Sequence, residues 1–251
     1  MSRTASLVKL TLAPAFTALV CVATMSFTVY VPLTRGFFNI GETMIYITAL
    51  LFGPAAAAFA GGVGSALADV ILGYSYYAPA TLVIKAVEGY IVGALARTKP
   101  RFASPLRWKA FTLILGVCVG AITAVIGAQY YSGLMELQLG QPFAKYPALV
   151  IYIPSTLWIA LGLVVALAIA LMGIYFEPQF GWLLLAIISG GLEMVLGYFL
   201  YEQFFLGVAA LVEVPVNIGQ MTVGLLVAVP LVRALWRAIP SLRHIAELER
   251  I

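Results

Sequence analysis

Charge is what this chain has least of. Only 10% of its 251 residues are Asp, Glu, Lys or Arg, against about 25% in a soluble domain. Hydrophobic residues make up 63%, and the mean hydropathy is +1.05. That balance excludes a water-soluble fold. Histidine occurs once, as His244 in the polar C-terminal stretch, where it reads as solvated. Cysteine occurs twice, as Cys21 and Cys118, each inside an apolar run. Two such residues without motif spacing read as small packing groups, so neither a disulfide framework nor a metal site is legible. A GxxxxGK[ST] phosphate-cradling loop is also missing. Gly62-Val63-Gly64 is no substitute, because no Lys follows and it lies within an apolar run. The net charge of +4 does not point to nucleic acid either. The basic residues gather at the ends of apolar runs, which is the pattern of membrane topology rather than of phosphate tracking.

What the chain does have is long apolar runs. A spanning helix needs about 20 apolar residues, and eight candidate segments fall at roughly 7–31, 43–52, 55–72, 79–96, 110–131, 148–175, 182–201 and 208–236. The first is too long for a signal-peptide core and reads as an uncleaved span. The second is short and is ended by Gly53-Pro54. All are expected to be helices, because open sheet edges cannot survive in hydrocarbon. The fold class is therefore all-α, a polytopic membrane bundle.

Basic residues orient it. With the N-terminus inside, Arg3, Lys9, Arg97, Lys99, Arg101, Arg107, Lys109, Arg233, Arg237, Arg243 and Arg250 fall on one side and only Arg35 and Lys145 on the other. The excess of Lys and Arg marks the cytoplasmic side, so both termini are predicted to be cytoplasmic. The loops at 32–42, 73–78, 132–147 and 202–207 then face outward. They are poor in positive charge and rich in Tyr, Phe, Asn and carboxylates, which suits an outward-facing solute site.

Ionisable groups inside lipid-length apolar runs are costly and imply a partner, a polar cavity or a pathway. Lys85 and Glu88 stand at i, i+3 and share a helix face. They read either as an internal ion pair, with Asp69 a second possible partner for Lys85, or as groups that meet a polar solute. Asp69 itself reads first as a helix-end residue contacting loop amides, and second as a group that orients the loop or meets a solute. Glu213, Asn217 and Gln220 fall on one stripe of the last segment, and the two amides offer both donors and acceptors. Glu202 ends the seventh segment beside Tyr201, and Glu193, about two turns deeper, is expected to pair internally. Tyr74, Tyr76 and Tyr77 in one outward loop, with Phe37, Phe38 and Asn39 in another, read as a lid and stacking wall. Gly61, Gly62, Gly64 and Ser65 make a small-residue face for close helix contact, internal or with a partner helix.

These fragments, taken in order, resemble a known family. NIGETMIYITALLFGP, the Gly-rich helix ending in Ala68-Asp69, Gly73-Tyr74 with Pro79, TLVIKAVEGYIVGAL, GYFLYE and EVPVNIGQMTVGLLVAVPL together cover about half of the chain. The chain resembles the substrate-binding S component of energy-coupling factor (ECF) transporters, closest to the riboflavin-transporter-like group. The resemblance implies a six-helix core that captures a vitamin or similar small solute from outside. It also implies a membrane coupling protein and two cytoplasmic ATPases as partners, and no cofactor of the chain's own. It places ligand contacts on the last helix, Asn217 first. Together with the residues read from the apolar runs and outward loops, the candidate substrate-binding set is Asn39, Tyr74, Tyr77, Lys85, Glu88, Glu202, Glu213, Asn217 and Gln220. Two departures stand out. Eight segments exceed six, so 1–97 and 181–238 read as the core, 107–176 as an inserted hairpin and 239–251 as a cytoplasmic tail. And the first-helix alanine face that meets the coupling protein has only Ala13, Thr17 and Cys21 as its nearest equivalent.

The leading expectation is thus a solute-capture subunit in the prokaryotic plasma membrane, not an enzyme, with riboflavin the best single solute. A self-sufficient secondary carrier is the alternative; it would show inverted repeats, and none is visible. An integral-membrane enzyme is the weaker one, since the carboxylates are scattered and no His is embedded.

Overall fold

The computed structural model describes residues 3–31, 36–98, 104–130, 132–137, 149–240 and 242. Arg35, Lys99, Arg101, Lys145 and the tail carrying Arg243, His244 and Arg250 lie outside them. Among the described residues there are eight α-helices: α1 (Arg3–Ser26), α2 (Gly41–Phe52), α3 (Pro54–Leu72), α4 (Ala78–Arg97), α5 (Pro105–Tyr130), α6 (Ser155–Tyr175), α7 (Pro178–Leu206) and α8 (Glu213–Ala238). Six of these, α3 to α8, are long and apolar enough to cross a membrane; α2 and the Ala13–Ser26 part of α1 are shorter apolar helices. At 1.5 Å per residue, the 12 residues of α2 rise only about 18 Å. All of them except Met44 are buried, so α2 meets protein rather than lipid.

Not every apolar stretch is helical, which corrects the expectation. The end of the first segment is strand β1 (Thr28–Val31), paired antiparallel with β2 (Gly36–Asn39). The start of the sixth is β4 (Leu149–Ile153), paired with β3 (Gly133–Leu137). TVYV and LVIYI are rich in β-branched and aromatic residues, which suit a pleated, half-buried surface. They prolong the apolar runs without being helical. The last segment likewise opens with a 3-10 turn, Gly207–Val212, before α8 begins.

The chain divides into two compact units, Met1–Lys99 with Leu184–Ile251, and Pro100–Leu183. In the first, α2 packs on α1, α3, α4 and α8. Gly53 sits at φ 93° between α2 and α3, a left-handed-side geometry that glycine adopts without steric cost; the helix breaks there and Pro54 opens the next one, where its missing N–H costs nothing. Gly73, at φ 89°, caps α3 in the αL conformation. The small residues of α3 serve internal packing: a Cβ on Gly61 would lie 2.8 Å from the Lys85 carbonyl oxygen, and one on Gly64 would lie 2.6 Å from that of Thr17. Thr17, the middle of the row Ala13, Thr17, Cys21, is buried where α1 meets α3, while Ala13 and Cys21 are half-buried. Arg97, expected as a topology marker, is buried as well; its Nη1 donates to the Ala49 carbonyl at 2.9 Å and to the Gly93 carbonyl, a cation closing the C-terminal end of α2.

In the second unit α5 and α6 form a close pair. A Cβ on Gly116 would lie 2.6 Å from the Ala166 carbonyl. Trp108 is buried, and its indole N–H donates to the Phe176 carbonyl at 3.1 Å. Leu113, Ile114, Val117, Leu163, Val164 and Leu167 are exposed, as lipid-facing residues are.

Candidate functional site

A small, partly open hollow lies in the first unit. Each of its walls is supplied by a helix end or a loop that the sequence fixes locally. The end of β2 brings Phe37 and Asn39, the last turn of α3 brings Asp69, and the turn capped by Gly73 brings Tyr77. The first two turns of α4 bring Thr81 and Lys85. The last turns of α7 bring Tyr198 and Glu202, and the first turns of α8 bring Glu213, Asn217 and Gln220. All of these elements meet at one end of the bundle.

Lys85 anchors the floor. Its ammonium is paired with Glu42 and, at 3.2 Å, with Glu88, and all three side chains are at most 5% exposed. The Tyr46 hydroxyl donates to the other Glu88 oxygen at 2.9 Å. An ion left alone at such depth would cost several kcal/mol, and pairing offsets part of that cost. Lys85 also lies 5.4 Å from the Tyr198 ring centre, within cation–π range. One amide chain makes a second wall. The Gln220 carbonyl oxygen accepts from the Asn39 backbone at 2.8 Å and from the Asn39 side chain, and Gln220 donates onward to Asn217 at 2.8 Å. It ties β2 to α8. On the third side the Tyr77 hydroxyl donates to Glu202 at 3.1 Å. Burial, then the neighbouring carboxylates of Glu202 and Glu213, hold the Tyr77 phenol well above its ordinary range, so it keeps its proton for that bond. Tyr198 donates to the Thr81 hydroxyl at 3.0 Å, and Thr81 in turn bonds the Asp69 carboxylate.

Aromatic rings surround the mouth. Phe37 and Tyr74 have centres 4.8 Å apart, as do Tyr76 and Tyr77, and Tyr201 lies 5.9 Å from Tyr77.

Seven of the nine residues singled out in the sequence border the hollow: Asn39, Tyr77, Lys85, Glu202, Glu213, Asn217 and Gln220. Glu88 lies behind Lys85 as its ion-pair partner, and Tyr74 stacks on Phe37. Asp69 is a wall residue whose side chain meets Thr81; its backbone carbonyl, not its carboxylate, accepts the loop amide of Tyr74 at 2.7 Å. Glu193 is half-buried, and its Oε2 has no hydrogen-bond partner among the described residues. Sequence reasoning missed Glu42, Thr81 and Tyr198. The signal for Glu42 was present, an acidic residue opening an apolar helix, but its partner stands 43 residues away.

The first unit is thus a helical membrane bundle with a polar hollow at one end, walled by amides, carboxylates and aromatic rings. The family model for the S component of ECF-type riboflavin transporters matches residues 4–176, and the chain belongs to that family, a family of multi-pass membrane proteins that serve transport. The curated relatives include an uncharacterised protein of Pyrococcus woesei, 44% identical over 108 residues, which are 43% of this chain and 67% of that protein. They also include the thiamine precursor transporter HmpT of Lactococcus lactis subsp. cremoris, 36% identical over 123 residues, 49% of this chain and 69% of the relative. No solved structure matches. The family match ends before α7, so Tyr198, Glu202, Glu213, Asn217 and Gln220 join the hollow on geometry alone.

Proposed function

We propose that the hollow is the solute site of an S component that captures a vitamin-type molecule from outside the cell. Transport is then driven by a membrane coupling protein and two cytoplasmic ATPases. The observation that supports this best is the convergence of Asn39, Tyr77, Lys85, Glu202, Glu213, Asn217 and Gln220 on one cavity, at the bundle end that the Lys and Arg distribution assigns to the exterior. A flat ring would lie among Phe37, Tyr77 and Tyr198. The β1–β2 hairpin, held to α8 through Asn39 and Gln220, would release and reclose over it. The bound subunit then turns inward with its partners, and no covalent step is required of this chain. Riboflavin, from the family's description and the aromatic loops, is the leading solute on the sequence. A thiamine precursor, the solute in the Lactococcus relative's name, is the second.

Native mass spectrometry of the purified full chain tests the reading. One equivalent of a co-purified or added small molecule should remain bound without nucleotide. ATP hydrolysis by the chain alone, or solute uptake into vesicles containing only this chain, would overturn it in favour of a self-sufficient machine.

A further inference from the structure

Taking the hollow as a solute site, we infer that a one-way relay of side-chain amides, Asn39 to Gln220 to Asn217, turns the Asn217 N–H groups toward the guest. The site then reads a hydrogen-bond acceptor of the solute at that point, a carbonyl oxygen or an unprotonated ring nitrogen. It does so while the β1–β2 hairpin is docked on α8. Asparagine occurs only twice in the chain, as Asn39 and Asn217, and both stand in this relay, one on each side of Gln220.

A side-chain amide has an acceptor at one end and two donors at the other, and its partners decide which way round it sits. Here the order starts from two backbone N–H groups, which can only donate. That of Gly41 meets the Asn39 side-chain oxygen at 2.9 Å, so the Asn39 NH2 is the end that reaches the Gln220 oxygen. The backbone N–H of Asn39 meets the same Gln220 oxygen at 2.8 Å. A reversed Gln220 would set donors against both. The Gln220 NH2 is therefore the end that faces Asn217, and it meets the Asn217 oxygen at 2.8 Å. Reversing Asn217 would again oppose donor to donor. The Asn217 NH2 is left over, with no hydrogen-bond partner among the described residues. Asn217 and Gln220 are buried, and both border the hollow. The Asn217 nitrogen is not one of the unpartnered side-chain atoms sealed from solvent, so the surface it keeps opens on that hollow. A donor held at such depth is stable only with an acceptor before it. The same wall carries further donors: Asn39 and Gln220 each keep one amide N–H beyond the relay, and Lys85 keeps a third N–H beyond Glu42 and Glu88. Asn39 and Gln220 are thus positioning residues, which translate the docking of the hairpin into the orientation of Asn217.

Nuclear magnetic resonance on the detergent-purified full chain, labelled with nitrogen-15 asparagine, reads both side-chain amides separately; Asn217→Asp assigns them by removing one. In the parent, one Asn39 N–H should exchange with solvent about tenfold more slowly than either Asn217 N–H. Gln220→Glu still accepts from both Asn39 donors but offers Asn217 only an acceptor. Asn217 should then turn over and gain a protected N–H, while the Asn39 signal stays. Asn39→Asp opposes oxygen to the Gln220 oxygen, loosens the hairpin and should broaden the Asn217 signal. Riboflavin or thiamine, each of which carries acceptor atoms on its rings, should shift the Asn217 signal on binding. Gln220→Glu should weaken that binding by about tenfold. Gel-filtration profiles matching the parent show that the variants are folded. A protected Asn217 N–H in the parent, or an Asn217 signal unchanged by Gln220→Glu, overturns the relay. An Asn217 signal indifferent to Asn39→Asp removes the hairpin from it. A probe that binds without moving the Asn217 signal overturns the acceptor reading and leaves solute capture standing. Binding of neither probe at millimolar concentration overturns capture of both solutes proposed above, and the exchange pattern then decides the relay by itself.

Discussion

Lys85 shows how one residue organises the interior. It stands in a lipid-length helix, and the sequence alone offers Glu88 and Asp69 as partners. The fold instead gives it Glu42 and Glu88, with Tyr46 completing the network. Breaking a buried ion pair from one side strands the other charge and costs about 3–5 kcal/mol. Lys85→Met is therefore expected to lower the melting temperature markedly in detergent. Adding Glu88→Gln to it should recover part of the loss, because one stranded carboxylate is removed. An unchanged melting temperature for Lys85→Met would show that the network carries no stability. Glu42 was invisible as a partner because helix periodicity relates residues three and four apart, and nothing in the sequence brings α2 beside α4.

Helix contacts in the first unit are set by glycine. α3 and α4 approach until backbone meets backbone: a Cβ on Gly89 would lie 2.6 Å from the Ala57 carbonyl oxygen, and one on Gly93 equally close to Pro54. Small residues permit this approach where apolar surface gains nothing from leaving lipid. Gly89→Val should force the pair apart and destabilise by about 1–3 kcal/mol. Gly219→Ala, whose added methyl would meet only the Phe38 ring at 3.5 Å, should be tolerated. Comparing the two melting curves checks this, and equal curves would refute the packing account. The glycine cluster itself was legible in the sequence. Which helix each glycine faced was not: Gly61 turns to α4 and Gly64 to α1. At the same scale the two β-hairpins escaped the sequence reading, because their apolar strands join onto apolar helices without a break in hydropathy.

At the scale of the molecule, the hollow gathers residues from β2, α3, α4, α7 and α8 at one end of the first unit. The distribution of Lys and Arg predicts an exterior position for that end. Labelling with a membrane-impermeant maleimide checks it, in a background with Cys21 and Cys118 replaced. A cysteine at exposed Ser75, in the turn after α3, should react in intact cells. One at exposed Thr98, after α4, should react only once the membrane is opened. The reverse pattern would put the cavity on the cytoplasmic face and end the capture reading.

Composition and periodicity by themselves determined that the chain lives in a membrane, that it is helical, where most helices run and which side chains are too costly to leave in lipid. Those are local properties, written in runs of about 20 residues. Tertiary structure alone decided that Glu42 is the counter-charge of Lys85, that Arg97 closes α2 instead of lying in solvent, that Thr81 and Tyr198 join the wall, and that Asn39 reaches Asn217 through Gln220. Each of those outcomes depends on contacts between residues far apart in the chain, which close helix packing brings within a few ångströms of one another.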